Sequence, residues 1–136
     1  MASAERYDAF ALMKRFRGDE AALGDALALF IDRPDYGFVW LAYEDDVPAS
    51  CVSVSFGIST ETGGIVAHLD DLWVAEERRR RKIGTALLAT LRGRLDQLAV
   101  TRIDAAIPDD PGVRVFFATL GYTDAGGTRV RLTRPR

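Results

Sequence analysis

The apolar residues of this chain change period, and the change falls at one place. "SCVSVSF" at residues 50–56 alternates strictly, with Val52, Val54 and Phe56 on one face. "IVAHLDDLWV" at 65–74 reads as a further strand. Past a basic run, Ile83, Leu87, Leu88, Leu91, Leu95 and Leu98 recur at helical spacing to about Ala99. A period of two belongs to a pleated strand and a period of 3.6 to an amphipathic helix. The chain therefore needs both element types, with a strand feeding directly into a helix.

The remaining segments fall into place around that junction. Residues 4–17 read as a first helix. "GDEAALGDALALFIDRPDYG" reads as a second, with Asp19 as its cap, Leu23, Leu27, Phe30 and Ile31 on one face, and Pro34 as its stop. "GFVWLAY" is β-rich, and the turn "EDDVP" joins it to 50–56 as a hairpin. "STETGG" is a second turn. "TRIDAAI" reads as a short strand after the long helix. In "PDDPG", Asp109 or Asp110 can cap a helix with Pro111 at its first position; Val113, Phe116, Phe117 and Leu120 make it amphipathic and Gly121 ends it. "TRVRLT" reads as a last strand, with a shorter one at "YTD" as an option. The order is α-α-β-β-β-α-β-α-β. Antiparallel strands come first and a strand-helix-strand crossover follows, so the expected class is α+β, a mixed, mainly antiparallel sheet flanked by helices.

Bulk properties narrow the function classes. The 136 residues suit one domain, 1–136, with a real core. The formal net charge of −2 gives no support to nucleic-acid binding. No apolar stretch is long enough to span a bilayer, and "MASAERYDAF" is too polar for a signal peptide, so a cytoplasmic location is expected. Cys51 is the only cysteine and reads as a small core residue; His68 is the only histidine, so no multi-histidine metal site is expected.

The basic run is "RRRRK", Arg78 to Lys82, at the start of a helix. The first helical turn has unpartnered N–H groups and partial positive charge. Cations there oppose the dipole, which points to an anionic ligand, with a diphosphate as the best candidate. The alternative is a solvated basic face or a nucleic-acid patch. Neither G-x-x-x-x-G-K-[ST] nor G-x-G-x-x-G is present, which argues against a nucleotide triphosphatase or a dinucleotide enzyme.

"LDDLWVAEERRRRKIGTALL" resembles the signature of the GNAT superfamily of acyl-CoA-dependent N-acetyltransferases, a strand running into R/Q-x-x-G-x-G/A and a helix. Arg79, Lys82 and Gly84 occupy the three defined positions. "VRVFFATLGY" resembles the second signature, an aromatic-rich helix ending in Gly-Phe or Gly-Tyr. The order of elements agrees, although the family's usual first strand is absent and the C-terminal strands are brief. Within the family, "LDDLWV" is most similar to the "LEDLYV" strand of diamine and polyamine acetyltransferases.

The resemblance implies a GNAT-like fold, acetyl-CoA as cosubstrate and a primary amine as acceptor, with no metal. It implies that amides of Arg80, Arg81, Lys82, Ile83, Gly84 and Thr85, beside Arg79, hold the coenzyme A diphosphate. Leu72 and Val74 would pair with the pantetheine arm, the Val74 N–H would polarise the thioester carbonyl, and Trp73, Asp110 and Phe117 would line the cofactor. Lys82 replaces the central glycine, so binding is expected to survive if the backbone there is helical rather than at positive φ. Phe117 stands where many members have a tyrosine that protonates the departing thiolate, and a thiol is a tolerable leaving group without it.

An attacking amine must lose a proton, which a carboxylate can take. Strand alternation puts Asp70 with His68 and Leu72 on one face, and Asp71 with Leu69 and Trp73 on the other. By analogy with "LEDLYV" sites, Asp70 is the base or water-holder and Asp71 the contact for a substrate ammonium; the reverse assignment satisfies the same chemistry. Alternatively, both acids serve a strand end. Trp40 and Trp73 read as packing residues, and Glu44 to Asp46 as a solvated turn. A small cationic amine fits the acidic strand best. A protein or aminoacyl amine, and a non-catalytic acyl-CoA-binding module, are the competing readings. A homodimer would cover the sheet edges.

Overall fold

The computed structural model describes residue 1 and residues 3–135. The chain divides into two compact units, Met1–Ala106 and Ile107–Arg136. The first carries α1 (Ser3–Met13), α2 (Glu20–Asp32), β1 (Gly37–Glu44), β2 (Val47–Ser59), β3 (Gly64–Val74), a 3-10 turn (Glu76–Arg78), α3 (Ile83–Gln97) and β4 (Arg102–Ala105). The second carries α4 (Pro111–Thr119). The class is mixed α/β, with a four-stranded, mostly antiparallel sheet of order β1-β2-β3-β4. β3 and β4 are its parallel pair. Among the described residues no helix is long and apolar enough to cross a membrane.

Local chemistry explains the element ends. Asp19 Oδ1 accepts from the Ala22 N–H at 2.9 Å and starts α2. α1 stops at Met13, four residues short of the expected end, because its last turn tightens into i→i−3 bonds from Arg15 to Leu12 and Phe16 to Met13. Asp45 and Asp46 both take positive φ, 54° and 62°, so β1 and β2 are joined by a two-residue turn whose twist matches the strands.

Strand parity assigns the two sheet faces. Val39 and Cys51 pack with Leu12, Met13, Leu23 and Leu27 of α1 and α2. Trp40, one residue on, donates its Nε1–H to Thr90 Oγ1 of α3 at 3.1 Å. Helices α1 and α2 thus cover one face, and α3 covers the other with buried Leu87, Leu88, Leu91 and Leu95.

The expected closing strand does not form. Residues 122–135 contain no strand, at "YTD" or at "TRVRLT". Val130 and Leu132 have the right alternation but are almost fully exposed. Alternation alone gives a strand no partner for its backbone groups.

Candidate functional site

The strand carrying the two acids is not regular. On β2, Cys51 and Ser53 are two residues apart; their partners on β3, Trp73 and Asp70, are three apart. The extra residue makes a β-bulge, and Asp71 sits in it with φ 58°. The bulge overturns the expected alternation. Asp71 does not share the face of Leu69. Its Oδ2 accepts from Ser53 Oγ at 2.7 Å, and its Oδ1 meets the Arg17 guanidinium just beyond α1. Its side chain is only 14% exposed. Asp71 is therefore engaged by this chain's own groups. The Asp70 side chain is exposed and accepts the neighbouring Asp71 N–H at 2.8 Å, while its carbonyl accepts from Ser53 Oγ at 3.1 Å.

Beyond the acids, β3 loses a neighbour. β4 pairs with β3 from Val66↔Arg102 to Leu69↔Ala105 and then ends. One further bond, from the Ala106 N–H to the Leu69 carbonyl, closes the contact at 3.0 Å. β3 continues five residues to Val74. The Ala75 N–H donates to Ala49 O on the β2 side at 2.8 Å. Backbone groups alternate along an extended chain, so Val74 and Leu72 turn theirs to the open side. Arg79 Nε donates to the Val74 carbonyl at 2.9 Å, which leaves the Val74 N–H facing the gap. Trp73 points to the α1–α2 face, stacked on Phe16 with ring centroids 5.2 Å apart, and the Arg15 guanidinium lies 4.9 Å from its ring. It packs there, beside the edge rather than across it.

The basic run follows at once. Arg80 and Lys82 are both left-handed, with φ 65° and 59°. Lys82 caps α3 by backbone alone, with no side-chain hydrogen bond. The condition set for Lys82, a helical backbone rather than a positive φ, is not met: the residue takes the conformation a glycine would favour and keeps its side chain. The first bond of α3 runs from Ala86 N–H to Lys82 O at 3.0 Å. The amides of Ile83, Gly84 and Thr85 precede the first possible intrahelical bond, and no acid stands in that turn. Left-handed residues ahead of a helix start form a concave set of N–H groups suited to an anion.

The cations divide into held and free. Arg78 and Arg81 both donate to Glu44 Oε1, at 2.7 and 2.5 Å. Glu44 is thus not a solvated turn residue. Arg80 and Lys82 are exposed and make no ion pair among the described residues. Sequence reasoning missed Glu44, Arg17 and Ser53, whose roles come from contacts 18 to 54 residues away.

Asp110 is in the second unit, where its Oδ1 caps α4 by accepting from Gly112 and Val113 N–H at 2.8 and 3.1 Å. Phe117 is buried there between Phe116 and Tyr122, edge-on to both at 5.4 and 5.1 Å. His68 Nδ1 lies 3.9 Å from Asp104, which Arg102 holds with two hydrogen bonds. Cys51 is buried, and burial pushes its thiol up to about 12. No group of three or more potential metal ligands occurs among the described residues.

Solved structures of similar fold span nearly the whole chain. One described as a probable acetyltransferase superposes with a TM-score of 0.84 at 16% identity, covering 100% of this chain and 96% of its own. The aminoglycoside 6'-N-acetyltransferase AAC(6')-Iy, in complex with a bisubstrate analogue of CoA, gives 0.81 at 16%, covering 100% and 95%. AAC(6')-IG from Acinetobacter haemolyticus gives 0.80 at 17%, covering 100% and 97%. At these identities the likeness carries the fold alone. A search among curated proteins finds no match. The acetyltransferase (GNAT) family model matches residues 6–122, across both units. The chain belongs to the GNAT family of acetyltransferases.

Proposed function

We propose that this protein is an acetyl-CoA-dependent N-acetyltransferase whose acceptor is a small cationic primary amine. The observation that carries the reading is the open edge of β3 ending at Val74, directly ahead of the left-handed loop that starts α3. A strand-like amide arm fits the edge, and a diphosphate fits the loop, so the residues suit an acyl-CoA. Acetyl-CoA supplies the acetyl group as a thioester. The Leu72 and Val74 backbone groups bind the arm, and the Val74 N–H donates to the thioester carbonyl oxygen as charge builds there. The amides from Arg80 to Thr85, with the side chains of Arg80 and Lys82, bind the diphosphate.

Asp70 is the exposed carboxylate on this strand and takes the acceptor's proton, directly or through a water. The acidic strand carrying Asp70 and Asp71 is what favours a cationic acceptor. Asp71 acts from behind as the anchor of the bulge, since Arg17 and Ser53 occupy its carboxylate.

Calorimetric titration of CoA into wild type and Gly84→Val tests the binding half. Binding by wild type and loss of it in a folded variant are expected; equal affinity would place the site elsewhere. Thiol release from acetyl-CoA across an amine panel tests the acceptor. Asp70→Asn lowers kcat/KM by about 10²-fold or more if it is the base. An unchanged pH–rate profile in that variant would remove Asp70 from the chemistry.

A further inference from the structure

We propose that Glu44 is a positioning residue for acyl-CoA binding: it holds Arg78 and Arg81 so that the loop between them stands ready for the anion. The inference rests on the CoA reading given above. Five consecutive cations, Arg78 to Lys82, repel one another along a stretch of chain that turns left-handed at Arg80 and again at Lys82. Without a counter-charge such a segment would spread.

One carboxylate holds two of these cations at hydrogen-bond distance. Glu44 Oε1 accepts from Arg78 Nη1 at 2.7 Å and from Arg81 Nη1 at 2.5 Å, and the Glu44 carbonyl accepts from Arg78 Nη1 at 3.2 Å. Glu44 is itself fixed as the last residue of β1, immediately before the tight turn at Asp45 and Asp46. Its side chain is 27% exposed and that of Arg78 17%, so the contact is partly screened from water. Arg79 is tied separately, through Nε to the Val74 carbonyl. The loop is therefore pinned at Arg78, Arg79 and Arg81. The two cations left free, Arg80 and Lys82, are the two left-handed residues. That division suits a preformed anion cradle: pinned residues set the backbone, and free ones face the ligand. Ordering the loop in advance removes part of the entropy that binding would otherwise cost.

The sign of one substitution separates this role from simple electrostatics. A carboxylate near a polyanion site repels the ligand, so charge alone makes Glu44→Gln bind CoA more tightly. Positioning makes it bind more weakly. The expected Kd for CoA rises roughly tenfold, since two arginine side chains and their loop must then be ordered on binding. The KM for acetyl-CoA rises in step, while kcat at saturation and the KM for the acceptor hold.

Asp45→Asn removes the same charge from the same hairpin. Asp45 lies 3.9 Å from Arg78 and is 87% exposed, so its variant should bind CoA within about twofold of wild type, the small effect usual for an exposed ion pair. Glu44→Asp, which keeps the charge, recovers part of the affinity. Hydrogen exchange without ligand gives a readout independent of CoA: amides of residues 78–82 exchange faster in Glu44→Gln than in wild type.

Equal or tighter CoA binding by Glu44→Gln would overturn the proposal. So would unchanged exchange at 78–82, or an equal loss in Asp45→Asn. A wild type that does not bind CoA would overturn the functional reading itself, and this inference with it.

Discussion

Lys82 is the residue whose backbone most directly tests the proposed anion loop. It sits at φ 59° and ψ 23°, in the left-handed region, immediately before α3. An L-residue with a Cβ loses about 1–2 kcal/mol there relative to the right-handed region. Glycine has no such penalty, but it widens the unfolded ensemble and forfeits about 0.4–1 kcal/mol relative to alanine. Lys82→Gly and Lys82→Ala both remove the charge and the side chain, so electrostatics cancel between them. Alanine keeps the strain and glycine releases it. The glycine variant should then be the more stable by up to about 1.6 kcal/mol, with a central value near 0.8. For a domain of this size that separates the two melting temperatures by about 2–5 °C. Thermal unfolding followed by circular dichroism on the pair is sufficient. An alanine variant as stable as the glycine variant, or more so, would refute the left-handed assignment.

Gly93 tests the same balance with the opposite sign: it lies exposed within α3 with nothing within 4 Å of an added Cβ, so Gly93→Ala should raise stability by about 0.5–1 kcal/mol in the same melting assay. Phe117→Tyr adds a hydroxyl to a buried ring between Phe116 and Tyr122, and is expected to lose about 1–3 kcal/mol in thermal unfolding while kcat stays level; a faster enzyme would mean that the ring reaches the leaving thiol. Burial moves the Cys51 thiol from 9.0 to about 12, so the folded protein holds this proton where the unfolded chain releases it. This contribution to stability is fully present below pH 9 and is lost as pH rises from 9 towards 12; correspondingly, a thiol reagent at pH 8 should label Cys51 only after denaturation, and rapid labelling of native protein would contradict its burial.

Most of the framework was legible because its signals are local. Asp19 and Pro34 bracket α2, the alternation at 50–56 marks β2, the leucine spacing marks α3, and Pro111 opens α4. The departures come from relations between segments. Nothing within "LDDLW" says that β2 advances two residues while β3 advances three, so the bulge at Asp71 and the resulting side-chain directions were hidden. The open edge of β3 depends on where β4 stops, which is decided on another strand. Glu44 looked like part of a polar turn because its partners Arg78 and Arg81 are 34 and 37 residues away. "TRVRLT" failed for the reverse reason: its local pattern is sound, but it has no strand beside it among the described residues.

The strained residues and the ion pairs of this protein meet in one segment. Asp71, Arg80 and Lys82 are three of the six non-glycine residues at positive φ among the described residues, and all lie between the acids of β3 and the start of α3. At about 1–2 kcal/mol each, their left-handed backbone sums to about 3–6 kcal/mol of local strain. Four ion-pair contacts converge on the same stretch: Arg17 with Asp71, Arg15 with Glu77, and Arg78 and Arg81 each with Glu44. The Arg15 hydrogen bond holds the Glu77 carboxyl down at about 2, so that contact is present above its ordinary value of 4.5 and is lost as pH falls through about 2. The Asp71 and Arg78 side chains are only 14% and 17% exposed, so their pairs lie partly out of water and hold the strained backbone in place. Strain collected in one segment fits the anion site proposed above better than it fits a purely structural role. An anion seated on the Arg80 to Thr85 amides would repay it by using the geometry that the strain maintains.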